Sequence, residues 1–178
     1  MKIVVLRLGH RYVRDDRATT HLFLVARAFG ADKVLYTGQR DRQIEAKIKE
    51  MTRVWGGVFD VEYREDGARV LKAWRRGGGH VVHLSMYGLP MQHVIEDIRR
   101  SPADKLIVVG GAKVPKDVYE AATWNVAVTS QPHSEIGALS VFLHELFEGR
   151  ELVQSFENAE LVVVPQVKGK KIVKRRVT

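Results

Sequence analysis

Short apolar, β-branched runs alternate with amphipathic stretches from one end of the chain to the other. The strand-like runs fall at residues 3–8, 33–37, 58–63, 81–86, 106–109 and 125–128. Runs this short and this apolar suit strands buried on both faces of a sheet. Between them the period becomes helical. Leu22, Val25, Ala26 and Phe29 stand at i, i+3, i+4 and i+7, and Ile44, Ile48, Met51 and Trp55 carry the next stripe. Ile136, Leu139, Leu143 and Leu146 mark the last helix, with Ser134 placed to cap it. Strands alternating with helices predict βαβ units: an α/β fold with a parallel sheet flanked by helices on both faces. Residues 64–79 read as a flexible, basic loop that holds one short helix and ends in Arg75, Arg76 and three glycines. With no repeat and no long linker, the reading is a single domain over residues 1–178, carrying a basic tail from about 166.

A chain of 178 residues can bury about 70% of the surface its unfolded form exposes, so it needs neither disulfide nor metal to hold a core. Apolar residues at 45% and charged residues at 28% exclude wholesale disorder. The absence of cysteine excludes disulfides, thiolate zinc sites and cysteine nucleophiles together. Twenty-nine Lys+Arg against 21 Asp+Glu give a net charge of +8, which points to a polyanionic partner such as nucleic acid. No apolar run approaches the roughly 20 residues that span a bilayer, and the first residues lack a signal-peptide profile. A soluble, cytoplasmic protein is expected.

Four segments carry candidate chemistry. In LIVVGGAKVP (106–115) a buried strand runs into Gly110–Gly111, and Pro115 suits the first turn of the following helix. Glycines at the carboxyl end of a parallel strand let a ligand touch backbone, though the same pair would also make a plain tight turn. In NVAVTSQPHSEIGAL (125–139) a polar loop from Thr129 to Glu135 separates a strand from a helix. The segment VVHLSMYG (81–88) ends a third strand at the same edge. Between the first strand and first helix, Arg7, Arg11, Arg14 and Arg17 gather in a loop suited to bidentate phosphate contacts. The tail adds Lys168, Lys170, Lys171, Lys174, Arg175 and Arg176. His80 and His83 point to opposite faces of a strand, and His10, His21, His93, His133 and His144 show no metal-ligand spacing, so no metal is expected.

Taken in order, RLGHR…RDDRATTH, VARAFGAD (25–32), VVHLSMYG, IVVGGAKVP and NVAVTSQPHSE resemble the archaeal tRNA ribose 2′-O-methyltransferase family that modifies the cytidine at tRNA position 56, within the SPOUT class. The resemblance spans roughly residues 3–165. It implies a carboxyl-terminal trefoil knot, a homodimer, tRNA as substrate and S-adenosyl-L-methionine as cofactor. The implied cofactor pocket comprises Leu84, Gly110, Gly111, Ala112, Lys113, Val114, Val128, Thr129, Ser130, Gln131, Pro132, His133, Ser134 and Glu135. Many SPOUT ribose methyltransferases carry a catalytic Arg in the first helix, where this chain has Leu24. The catalytic candidates therefore come from the arginines upstream, Arg17 first and Arg11 second. His133 and Glu135 are further candidates for the base. Two other readings stand beside this one: a non-catalytic RNA-binding α/β protein, and a nucleotide-binding α/β enzyme that takes ATP or NAD.

Overall fold

The computed structural model describes residues 1–111 and 113–175; Ala112 of the expected pocket and Arg176 of the tail lie outside the described residues. Six strands, β1 (Ile3–His10), β2 (Lys33–Gly38), β3 (Asp60–Tyr63), β4 (His80–Pro90), β5 (Lys105–Gly110) and β6 (Trp124–Ala127), form one sheet in the order β3-β2-β1-β5-β4-β6. All neighbouring pairs are parallel. The helices are α1 (Asp16–Ala28), α2 (Arg42–Trp55), α3 (Gly67–Arg76), α4 (Met91–Arg100), α5 (Lys116–Ala121) and α6 (Glu135–Phe147).

Strand alternation divides the core. Ile3 and Val5 of β1, Val34 and Tyr36 of β2, and Ile107 and Val109 of β5 face the side covered by α1, α2, α4 and α6. Val4, Leu6, Leu35, Leu106 and Val108 face α3 and α5. Helix starts are set by local chemistry. The Asp41 side chain accepts the N–H groups of Gln43 and Ile44, Asp66 those of Ala68 and Arg69, and Ser134 that of Ile136.

Residues 64–79 are not a flexible loop. Asp66 starts a ten-residue helix, Leu71 buries its apolar side, and Arg75 and Arg76 lie in its last turn. Beyond α6 and a short 3-10 turn (Arg150–Val153), the chain forms an antiparallel hairpin of β7 (Leu161–Val163) and β8 (Ile172–Lys174), separate from the main sheet. Lys174 of the basic tail thus lies in a strand.

The connections place the site. β1 and β5 are neighbours, yet α1 leaves β1 toward one face and α5 leaves β5 toward the other. Diverging connections open a crevice at the carboxyl ends of adjacent parallel strands.

Candidate functional site

The ends of β4, β5 and β6 stand level. Leu84 pairs with Val126, and His83 pairs with both Val108 and Asn125, so Leu84, Val109 and Val126 lie in one row. Gly110 and Ala127 follow one step farther. Because β4 lies between β5 and β6, the turns that leave those two strands start two strand spacings apart, roughly 10 Å. Past Leu84 the register shifts, and pairing with β6 resumes at Leu89. The excursion lies tight on its neighbour: a Cβ on Gly88 would meet backbone atoms of Asn125 and Val126 at 2.4–2.5 Å.

The β5–α5 turn opens onto a cleft of about 1250 Å³ on the α3–α5 side of the sheet. Leu8, Gly9, Gly38, Leu71, Val114 and Val118 supply its apolar wall. Arg11, Lys72, Arg75, Arg76 and Lys113 line it against Asp15, Glu65, Asp66 and Asp117. The balance is less even than the count. Arg11 grips Asp15 through Nε and Nη2 at 2.9 and 3.0 Å, which holds that carboxyl below its usual range, and Asp66 caps α3. Lys72, Arg75 and Arg76 form the basic rim. Gly111 lies at the mouth, where an added Cβ would meet nothing within 4 Å.

The expected pocket residues therefore fall into three groups. Gly111, Lys113 and Val114 line the cleft, and Gly110 ends the strand beneath them. Leu84 is buried in the core, 7% exposed. Val128 is half-buried after β6, and Thr129, Ser130, Gln131, Pro132, His133 and Ser134 are exposed in the loop that opens α6. Short-range bonds shape that loop: Gln131 N–H donates to Thr129 Oγ1 at 3.2 Å, and His133 Nδ1 lies 3.0 Å from the Ser134 carbonyl. Glu135 differs from its neighbours. Its carboxylate sits 2.8 Å from Nη1 of Arg7, at ion-pair distance but out of line for a hydrogen bond.

That ion pair was not foreseen from spacing. Arg7 is 3% exposed on β1, and its Nε also donates to Thr19 Oγ1 at 3.1 Å. It ties the first strand to the start of the last helix rather than waiting for phosphate. Of the two catalytic candidates, Arg11 lines the cleft, whereas Arg17 is exposed on the first turn of α1 with no ion-pair partner among the described residues. No spacing signalled a half-buried polar chain on the α5 side, built around the fully buried His83. His83 Nδ1 meets Asn125 Oδ1 at 2.8 Å, Asn125 Nδ2 donates to the Tyr119 carbonyl, and Tyr119 Oη meets Ser85 Oγ at 3.0 Å. Burial pushes the His83 pKa down and keeps the ring neutral.

This parallel six-stranded sheet flanked by helices is the fold of the SpoU/TrmH class of methyltransferases. The A. aeolicus TrmH/SpoU tRNA modifying enzyme matches with a TM-score of 0.64 at 17% identity, over 85% of this chain and 76% of that one. The SpoU methyltransferase AviRb from Streptomyces viridochromogenes, solved in complex with the cofactor AdoMet, matches with a TM-score of 0.58 at 13% identity, over 83% of this chain and 57% of that one. At those identities the likeness is one of fold. A family model for the tRNA ribose 2′-O-methyltransferase, aTrm56, matches residues 55–173. The tRNA (cytidine(56)-2′-O)-methyltransferase of Methanothermobacter thermautotrophicus is 49% identical over 170 residues, 96% of this chain and 95% of that protein. The chain belongs to the tRNA ribose 2′-O-methyltransferase family. The readings as a non-catalytic RNA binder and as an ATP or NAD enzyme are thereby set aside. Among the described residues, no helix is long and apolar enough to cross a membrane.

Proposed function

We propose that the protein transfers a methyl group from S-adenosyl-L-methionine to the ribose 2′-oxygen of the cytidine at tRNA position 56, acting as a cytoplasmic homodimer. The observation that carries this reading is the family match over residues 55–173, a span that contains β4, β5, β6 and α6 whole. The residues at that edge suit the cofactor: Gly111 leaves backbone open to a ligand, Val114 offers apolar surface in the cleft, and the 129–134 loop is exposed and polar.

When bound, S-adenosylmethionine supplies an activated methyl group on a sulfonium centre. The chain's own residues must hold the ribose in line and accept the hydroxyl proton. Gly110, Gly111, Lys113 and Val114 on one side and Val128 to Ser134 on the other would frame the ligand through backbone groups. The Arg7–Glu135 pair would fix the second of these walls against β1. It also commits Glu135 to positioning, which leaves exposed His133 as the loop's titratable candidate. A guanidinium keeps its proton at any ordinary pH, so Arg17 and Arg11 suit orientation of the 2′-hydroxyl or the adjacent phosphate rather than proton removal. Lys72, Arg75 and Arg76 on the cleft rim would meet the tRNA backbone.

Incubation with methyl-labelled S-adenosylmethionine and unmodified tRNA transcript tests the reading. Label is expected on the transcript and absent when position 56 carries a 2′-deoxycytidine. Persistent labelling of the 2′-deoxy transcript would overturn the assignment of the nucleotide.

A further inference from the structure

The fold brings together three residues that no sequence spacing joins. His10 ends β1 after a register shift, Asp16 begins α1, and Asp41 precedes α2. Gly38 closes β2 over His10 with φ +98°, where a Cβ would strike the His10 backbone. His10 is 0% exposed, and its Nε2 is buried with no hydrogen-bond partner. That nitrogen points between two carboxylates, 3.8 Å from Asp16 Oδ1 and 3.7 Å from Asp41 Oδ2.

We propose that His10, Asp16 and Asp41 bind one divalent first-row transition-metal ion, of the Zn²⁺ or Mn²⁺ class, at the carboxyl end of β1. The three donor atoms all lie within 4.8 Å of one another. Distances of 3.7 and 3.8 Å exceed hydrogen-bond reach, so a proton on Nε2 would satisfy neither oxygen. They suit a shared ion: ligands about 2.1 Å from one metal at tetrahedral angles stand about 3.4 Å apart, and wider angles lengthen that edge. One imidazole with two carboxylates is a donor set for Zn²⁺ or Mn²⁺, and water can complete the shell.

The surroundings fit a ligand histidine. Nδ1 of His10 lies 2.9 Å from Thr19 Oγ1. Donation of Nδ1–H to that oxygen leaves the Nε2 lone pair facing the carboxylates, as outer-shell partners of metal-bound histidines do. Asp41 is anchored, since its other oxygen accepts the Gln43 and Ile44 N–H groups. Asp16 Oδ1 accepts the Val13 N–H at 2.8 Å, and the Asp16 side chain as a whole stays 41% exposed, which provides an entry path. Arg7 bonds the far side of the Thr19 hydroxyl, and its charge is met by Glu135. The ion would clamp β1, α1 and the β2–α2 turn beneath the loop that carries Arg11. This site stands independently of the methyl-transfer reading.

The test uses tag-free, chelator-treated protein without tRNA, titrated calorimetrically with Zn²⁺, Mn²⁺ and Mg²⁺, and with Co²⁺ followed by visible absorption. One equivalent of Zn²⁺ or Mn²⁺ is expected to bind well ahead of Mg²⁺ and to raise the melting temperature. Asp16→Asn keeps an oxygen for Val13 and should weaken binding about tenfold or more; His10→Gln should abolish it. Circular dichroism checks that both variants are folded, and Asp16→Asn decides the test if His10→Gln does not fold. No binding by the wild-type protein at millimolar Zn²⁺ and Mn²⁺ would overturn the site. Unchanged affinity in folded Asp16→Asn would do the same, placing the ion on surface histidines.

Discussion

On the face covered by α1, α2, α4 and α6, 24 buried residues form one continuous cluster, while the face covered by α3 and α5 gathers eight. Both faces are built on the same strands. The difference lies in the helices: α6 contributes four buried side chains and α4 four, whereas α3 and α5 contribute one each. Fully burying a large apolar side chain contributes about 1.5–3 kcal/mol, so stability is concentrated on the first face. The second keeps its carboxyl edge open as the cleft beside Gly111. One sheet thus separates holding the fold from admitting a ligand.

The comparison breaks first under core truncation. Phe142→Ala, at a fully buried position of α6, should destabilise by about 3–5 kcal/mol. Leu71→Ala on α3, which faces the cleft, should fall near about 2 kcal/mol, the lower end for such changes. Urea denaturation measures both, and equal losses would erase the distinction between the faces. Next in size is catalysis. Arg17→Ala, which removes an orienting group and not a base, should lower kcat by about 10²-fold with cofactor affinity unchanged. Near-normal turnover would pass the role to Arg11, which lines the open edge.

Charge on the open face sharpens the contrast further. Arg75→Ala with Arg76→Ala should weaken tRNA binding and leave stability and cofactor affinity alone. Each lost phosphate contact should flatten the log–log salt slope by up to about 0.9. An unchanged slope would mean that the α3 rim does not touch RNA. The smallest effect concerns His83. Its folded pKa is depressed by burial, so the unfolded chain binds the extra proton first as pH falls below about 6.5. Stability should be full above that pH and decline on acidification toward the folded value. Each tenfold drop in the ring's proton affinity corresponds to about 1.4 kcal/mol. Thermal melts from pH 7.5 to 5 should show this decline in the wild type and less of it in His83→Gln.

Much of this was legible in the sequence because parallel strands buried on both faces write continuous apolar runs. All six predicted strands match within two residues at their starts, and β4 runs four residues beyond its expected end. Ser134 capped α6 as its position implied. One short helix was legible within residues 64–79, but the extent and order of α3 were not, because its few apolar residues, Val70, Leu71 and Trp74, sit among four basic ones and precede a glycine run. The carboxyl-terminal hairpin is built from two strands of only three residues each, too short to carry a periodic signal. Strand order and the pairs Arg7–Glu135 and His10–Asp41 depend on tertiary packing, which no local pattern records. The knot implied by the resemblance is likewise a property of threading and not of periodicity.

The central claim is that the open edge beside β5 takes the cofactor, and Gly111→Val tests it most directly. A side chain there meets no protein atom near its Cβ and no positive φ strain, so the variant should melt with the wild type. Calorimetry with S-adenosylmethionine, in the absence of tRNA, should show wild-type binding and its loss in Gly111→Val. Equal affinity in the two folded proteins would contradict the account and remove the β5–α5 turn from the site.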